Sequence, residues 1–125
     1  MSNQKKYQPT DSELEVLNVL WDKGSATVRE VHEELAGNRN TGYTTTLKTM
    51  QIMTEKGLLS RDTSSRTHIY LPAISKEVTQ QHFIKKMVEG LFDGSPGRLV
   101  IGALDNKKLS KDELEEIQNY LKNFE

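Results

Sequence analysis

GYTTTLKTMQIMTEKG, residues 42–57, runs directly into LLSRDTSSRTHIYLP, residues 58–72. At helical spacing Thr46, Met50 and Met53 fall on one side of the first segment, with Thr49 between them. Thr44, Thr45, Lys48 and Gln51 fall on the other side and offer short or flexible polar groups. Lys56-Gly57 reads as a helix end, a cation near the carbonyl terminus followed by a residue that tolerates the left-handed conformation. Leu58–Asp62 and Thr67–Leu71 have strand propensity and flank Thr63-Ser64-Ser65-Arg66, which predicts a β-hairpin with a polar, basic tip ended by Pro72. Three consecutive threonines are poor helix formers, because β-branched side chains lose rotamer freedom there. We read the run as placed for contact; the plainer alternative is that threonine is tolerated in a helix's first turn.

Upstream, Thr10-Asp11-Ser12-Glu13 fits a capping box that opens a helix carrying Leu14, Leu17 and Trp21, widened by Val16, Val19 and Leu20 and stopped near Gly24. Thr27-Val28-Arg29-Glu30 is a second capping box; Val28, Val31 and Leu35 share a face, Gly37 ends the helix, and Asn38 to Thr41 reads as a polar turn. Three helices with a tight second-to-third connection and then a hairpin form the winged helix-turn-helix layout. There the third helix enters the major groove and the hairpin tip touches the backbone or minor groove. Threonine and glutamine can pair with base edges, Lys48 can reach guanine or phosphate, and threonine methyls can pack on thymine methyls. Amides at the helix start can hold a phosphate, and Arg66 supplies a cation where the wing would present one.

Downstream, Ser75 can cap a fourth helix in which Phe83, Met87 and Leu91 repeat, with Ile84, Val88 and Phe92 beside them. Asp93-Gly94-Ser95-Pro96-Gly97 reads as a break, Leu99–Leu104 as a short apolar run, and Ser110-Lys111-Asp112-Glu113 as a third capping box before Leu114, Ile117 and Leu121. The expected fold class is therefore mostly α with a small β-hairpin: a winged helix DNA-binding domain at residues 1–73 and a C-terminal helical dimerisation domain at 74–125. Apolar residues on more than one stripe are costly to leave in water at about 25 cal/mol per Å². A second copy would cover them, and symmetric dimers are the commonest oligomers. Packing against the chain's own N-terminal domain is the alternative.

Composition narrows the function classes. The chain has 125 residues, no cysteine and a formal net charge of −1. No disulfide framework, thiol catalysis or thiolate metal site is available. No apolar run approaches about 20 residues, so no membrane insertion is expected. MSNQKKYQPT lacks the apolar stretch of a signal peptide, so the expected compartment is the cytoplasm. Residues 38–72 hold five Lys/Arg against two Asp/Glu, a local positive window of the kind phosphate neutralisation requires. His32, His68 and His82 lie in separate elements, and no metal-binding or phosphate-loop motif occurs. No enzymatic activity, cofactor or metal is expected. The competing reading is a winged helix that binds protein rather than DNA, but such a face should expose aliphatic or aromatic anchors, whereas this third helix offers Thr, Lys and Gln.

Leu14-Glu15-Val16-Leu17 with Leu20-Trp21, then Ala26-Thr27-Val28-Arg29-Glu30-Val31, then Gly42-Tyr43-Thr44-Thr45-Thr46-Leu47 through Glu55-Lys56-Gly57-Leu58-Leu59 resemble the penicillinase-repressor family, the BlaI/MecI/CopY group of bacterial repressors. The resemblance covers roughly residues 9–125 and is strongest up to Pro72. It implies homodimeric repression at palindromic operators in double-stranded DNA, with recognition contacts at Tyr43, Thr44, Thr45, Leu47, Lys48 and Gln51. Dimerisation residues would be Phe83, Ile84, Met87, Val88, Leu91, Phe92, Leu99, Leu114, Ile117 and Leu121. It further implies a membrane sensor metalloprotease that cuts an Asn-Phe bond in β-lactam-responsive members; the matching candidate cleavage position here is Gly102-Ala103, which lacks that signature. The cysteines of copper-responsive members are missing, and Ile52 stands where relatives carry an arginine late in the recognition helix.

Overall fold

A computed structural model describes residues 8–36, 42–106 and 108–125. The expected end at Gly37 and the turn at Asn38–Thr41 lie outside the described residues. The order of elements is α1 (Asp11–Lys23), α2 (Val28–Ala36), α3 (Tyr43–Lys56), β1 (Leu59–Asp62), β2 (Ile69–Pro72), α4 (Lys76–Leu91), α5 (Pro96–Asn106) and α6 (Lys111–Leu121), closed by a 3₁₀ turn at Lys122–Phe124. The chain forms two compact units, Met1–Phe83 and Ile84–Glu125, and the division falls inside α4.

In the first unit the helix starts follow from side-chain chemistry. Thr10 Oγ1 accepts from Glu13 N–H at 3.2 Å while the Glu13 carboxylate accepts from Thr10 N–H at 2.9 Å. The same reciprocal pair joins Thr27 and Glu30. Each box satisfies donors that a helix start leaves without an intrahelical partner. Gly57 ends α3 at φ 86°, in the left-handed region, and the following Leu58 N–H donates to Met53 C=O at 2.9 Å. That closure turns the chain sharply into β1, and glycine takes the conformation at no steric cost.

Leu17, Leu20, Val31, Met50 and Met53 are fully buried and make one core with Val16, Val28, Leu58, Leu59 and Tyr70. The apolar stripes of α1, α2 and α3 thus face a single interior. β1 and β2 pair antiparallel with Leu59 opposite Pro72 and Asp62 opposite Ile69, so Pro72 is the last strand residue. Ala26, between α1 and α2, exchanges two backbone hydrogen bonds with Tyr70, at 3.0 and 2.8 Å. This bridge fastens the hairpin to the helical trio and completes a winged helix-turn-helix. Trp21 Nε1 donates to Ile74 C=O at 3.0 Å and anchors the chain leaving the hairpin.

A second tie joins the two ends of the unit. Glu13 is buried at the start of α1, and Lys56 at the end of α3 donates to its carboxylate at 2.8 Å. Burial pushes the Glu13 carboxyl up, but the hydrogen bonds from Lys56 and Thr10 and the Lys56 charge outweigh it and hold the group below its usual 4.5.

In the second unit, Asp93 and Gly94 both take positive φ, 54° and 78°, and reverse the chain. The break is shorter than residues 93–97. Pro96 is the first residue of α5, and Ser95 Oγ accepts from Arg98 N–H at 3.2 Å. Proline suits a first helical position, where its missing donor costs nothing. Leu99–Leu104 therefore lies within an 11-residue helix rather than standing as a short apolar run. α6 begins with the Ser110 hydroxyl accepting from Glu113 N–H. No helix among the described residues is long and apolar enough to cross a membrane.

Candidate nucleic-acid interface

The buried side of α3 is Thr46, Met50 and Met53. Rotation by 100° per residue then sends Thr44, Lys48 and Gln51 to the opposite side, where all three are exposed. Thr45 is also exposed, on the edge of that face. Of the three consecutive threonines one is structural. Thr46 is buried, and its hydroxyl lies 3.1 Å from Nδ1 of His32 on α2. The other two face outward.

Sequence reading missed one member of this face, Glu55, and named Ile52 only as a departure from relatives. Ile52 is 39 % exposed beside Lys48, and Glu55 is exposed one turn beyond Gln51. Their spacing from Thr44 and Lys48 was the available signal. An aliphatic side chain on a polar face can pack on a thymine methyl, and a carboxylate can accept from cytosine N4.

At the start of α3, Tyr43 is held rather than loose. The Arg29 guanidinium sits 5.0 Å above its ring centroid, and the His32 ring meets it edge-on at 5.7 Å. These contacts fix the first turn of α3 against α2 and pre-orient both Tyr43 and Arg29.

The hairpin tip is exposed from Thr63 to His68. It is ordered locally, since the Asp62 carboxylate accepts from Ser64 N–H at 2.9 Å and Ser65 Oγ donates to Thr67 C=O at 2.7 Å. The Ser64 hydrogen bonds hold the Asp62 carboxyl below its ordinary value. Arg66 projects from this tip, exposed. Ion pairs among the described residues join Lys23 to Glu34, Lys56 to Glu13 and Arg98 to Asp93, which leaves Lys48 and Arg66 free of carboxylates there. Between the tip and α3 lies an open cleft of about 460 Å³, bounded by Arg29, Tyr43, Leu47, Arg66 and His68. Of the positive window, Arg66 shares this cleft with Arg29 of α2, Lys48 is exposed on the outer side of α3, and Lys56 is tied to Glu13.

Of the expected dimerisation residues in the second unit, Ile84, Met87, Leu91, Leu114 and Leu121 are exposed, Leu91 by 75 %. Phe92, Leu99 and Ile117 are half-buried, and Val88 is already buried in the single chain. Phe83, half-buried, belongs to the first unit. The α5 assignment adds Val100 and Ile101, 47 % and 61 % exposed, and the C-terminus adds Tyr120 and Phe124, whose rings meet at 5.4 Å. Gly102 and Ala103 sit inside α5, and the Phe92 ring lies 3.6 Å from where a Gly102 side chain would begin.

The chain is similar to known proteins over most of its length. A family model described as penicillinase repressor matches residues 9–123. The methicillin resistance regulatory protein MecI of Mammaliicoccus sciuri is 28 % identical over 94 % of this chain and 95 % of its own length. The penicillinase repressor of Bacillus licheniformis is 30 % identical over 91 % of this chain and 89 % of its own. The solution structure of the DNA-binding domain of the repressor BlaI superposes with a TM-score of 0.50 at 30 % identity, covering 55 % of this chain and 84 % of that one.

Proposed function

The chain belongs to the penicillinase-repressor family, and from that premise we propose that it is a DNA-binding transcriptional repressor of the cytoplasm, acting as a homodimer on a palindromic operator. The observation that carries the reading is the outer face of α3. Thr44, Lys48 and Gln51 stand in a row on the outer side, and Lys48 has no carboxylate partner among the described residues. An α-helix of this width fits the major groove, and these side chains can pair with base edges there while Arg66 meets the backbone from the wing. Residues 1–73 are the DNA-binding domain and 74–125 the dimerisation domain, whose exposed apolar residues on α4, α5 and α6 a second copy covers. Two-fold symmetry then presents two α3 helices to half-sites one helical turn, or a multiple of it, apart. Repression is by occupancy, and no step of it needs a cofactor or a catalytic group.

Release by a membrane sensor metalloprotease would act at Gly102-Ala103. That bond lies within α5, so cutting requires local opening of the helix. The mid-helix glycine makes opening easier, by about 1 kcal/mol relative to alanine.

Fluorescence anisotropy on a labelled duplex over a salt series tests the assignment of α3. Lys48→Ala should weaken binding and flatten the slope of log affinity against log salt by about one unit if the ammonium meets a phosphate. Unchanged affinity and slope would remove Lys48 from the interface.

A further inference from the structure

We propose that Glu55 is a specificity-determining residue of α3, accepting a hydrogen bond from the amino group of one cytosine in each half-site and rejecting other bases at that position. The proposal rests on the repressor reading and adds to it the base that one side chain reads. Its ground is where α3 carries this carboxylate. Thr46, Met50 and Met53 mark the buried side of the helix. At about 100° per residue, Glu55 lies within about 10° of the direction opposite them, nearer to it than Thr44, Lys48 or Gln51. Lys48 is about 20° round the helix from Glu55 and about 10 Å before it along the axis. The middle of the outward face is therefore a line of Thr44, Lys48 and Glu55, all exposed, with Gln51 on one side and Ile52 on the other. A helix laid in the major groove by this face brings the Glu55 carboxylate toward the base edges.

Nothing within the described residues accounts for a carboxylate there. Glu55 has no ion pair and no hydrogen bond among them. Its neighbours one turn back are Gln51 and Ile52, so no cation faces it along the helix. The next residue, Lys56, is held by Glu13. A negative charge in the last turn of a helix meets the negative end of the helix dipole, which is unfavourable. Phosphates on any duplex repel it as well. The charge thus works against helix stability and against general DNA affinity, while in the groove it discriminates between bases. A carboxylate only accepts hydrogen bonds. Cytosine presents an amino donor in the major groove, and guanine and thymine present acceptors. Adenine sets its amino group beside the N7 acceptor, which repels a carboxylate. Cytosine therefore satisfies Glu55 best, and guanine or thymine leaves it unpaired. Ile52, one turn before Glu55 and 39 % exposed, has no donor and thins the water on that side, which raises the penalty for a wrong base.

The test selects bound fragments from random DNA with the full native chain and with Glu55→Ala in parallel, then measures recovered duplexes by fluorescence anisotropy at one salt concentration. Glu55 is exposed, so the variant should keep its thermal melt. The native chain should recover a cytosine at one position in each half-site. Changing that cytosine to guanine or thymine should weaken native binding about tenfold, as for one mismatched base pair. In Glu55→Ala the same change should weaken binding by less than about threefold, with the preferences at other positions kept. A native preference for any other base at the position that Glu55→Ala relaxes would overturn the cytosine assignment. Tighter binding of Glu55→Ala to every duplex alike, with all preferences intact, would mean that the carboxylate only repels phosphates. No change in affinity or preference would place it outside the groove, and either result overturns the proposal. If the pools from both chains stay random, the repressor reading fails and takes this proposal with it; a recovered operator whose preferences Glu55→Ala leaves intact overturns the Glu55 assignment alone.

Discussion

Replacing Lys56 with methionine separates the two ends of the helical trio and should leave a trace in the pH dependence of stability. Lys56 Nζ is 2.8 Å from a Glu13 oxygen, and the Glu13 side chain is only 7 % exposed. Methionine keeps the aliphatic stem but leaves a buried carboxylate with Thr10 as its remaining donor among the described residues. A hydrogen bond to a charged group is worth about 1.5–3 kcal/mol, and the half-exposed Lys56 end places this one toward 1–2 kcal/mol. For a domain of this size each kcal/mol moves the melting temperature by about 4–8 °C, so a drop of about 4–16 °C is expected at pH 7. The sign with pH follows from the lowered Glu13 value. A carboxyl depressed in the folded state stabilises it fully above the unfolded value near 4.5, and that contribution disappears as pH falls through the folded value. The gap between the native chain and Lys56→Met, followed by circular dichroism melts, should therefore close below pH 4.5. An equal gap at pH 7 and pH 3, or none at pH 7, would refute the electrostatic account of this tie.

Met50→Ala, at a position with no exposure, should cost about 2–5 kcal/mol in urea unfolding and lower duplex affinity only through loss of folded chain. Leu91→Asp combined with Ile101→Asp, at positions 75 % and 61 % exposed, should leave the winged helix folded and give monomers in sedimentation; an intact dimer would show that α4 and α5 do not form the interface. Gly102→Ala finds only ordinary contact with Phe92, at 3.6 Å. It should stabilise α5 by up to about 1 kcal/mol and slow proteolysis there, measured as the half-life of the intact chain with a low-specificity protease. A faster cut would show that α5 is not the element that limits access.

Much of the first unit could be read from the sequence because local chemistry and burial agree there. The Thr10–Glu13 and Thr27–Glu30 boxes, the Lys56-Gly57 stop and the Thr46/Met50/Met53 stripe each name an element without reference to any other. What escaped was long-range or contradicted by propensity. The cleft exists because Ala26 bridges Tyr70 across much of the domain, and no pattern in either neighbourhood announces that pairing. His32 looked isolated in sequence but folds against Tyr43 and Thr46. α5 was hidden by Gly97 and Gly102, weak helix formers, and by contiguous apolar residues at 99–101 that give no helical spacing. The Ser95-Pro96 start was the signal that could have exposed it. Val88 was grouped with the outward stripe from its spacing alone, and burial in the single chain distinguishes it from Leu91.

Two copies of α3, each reading one half of a single duplex, are what the repressor reading requires above all. Selection of bound fragments from a pool of random DNA duplexes, followed by sequencing, measures this directly and needs no operator sequence at the outset. Enrichment of inverted repeats is expected, with half-site centres about 10 base pairs, or a multiple, apart. Enrichment of single unpaired motifs would contradict the paired arrangement, and a pool that stays random after repeated rounds would contradict DNA recognition by α3 altogether.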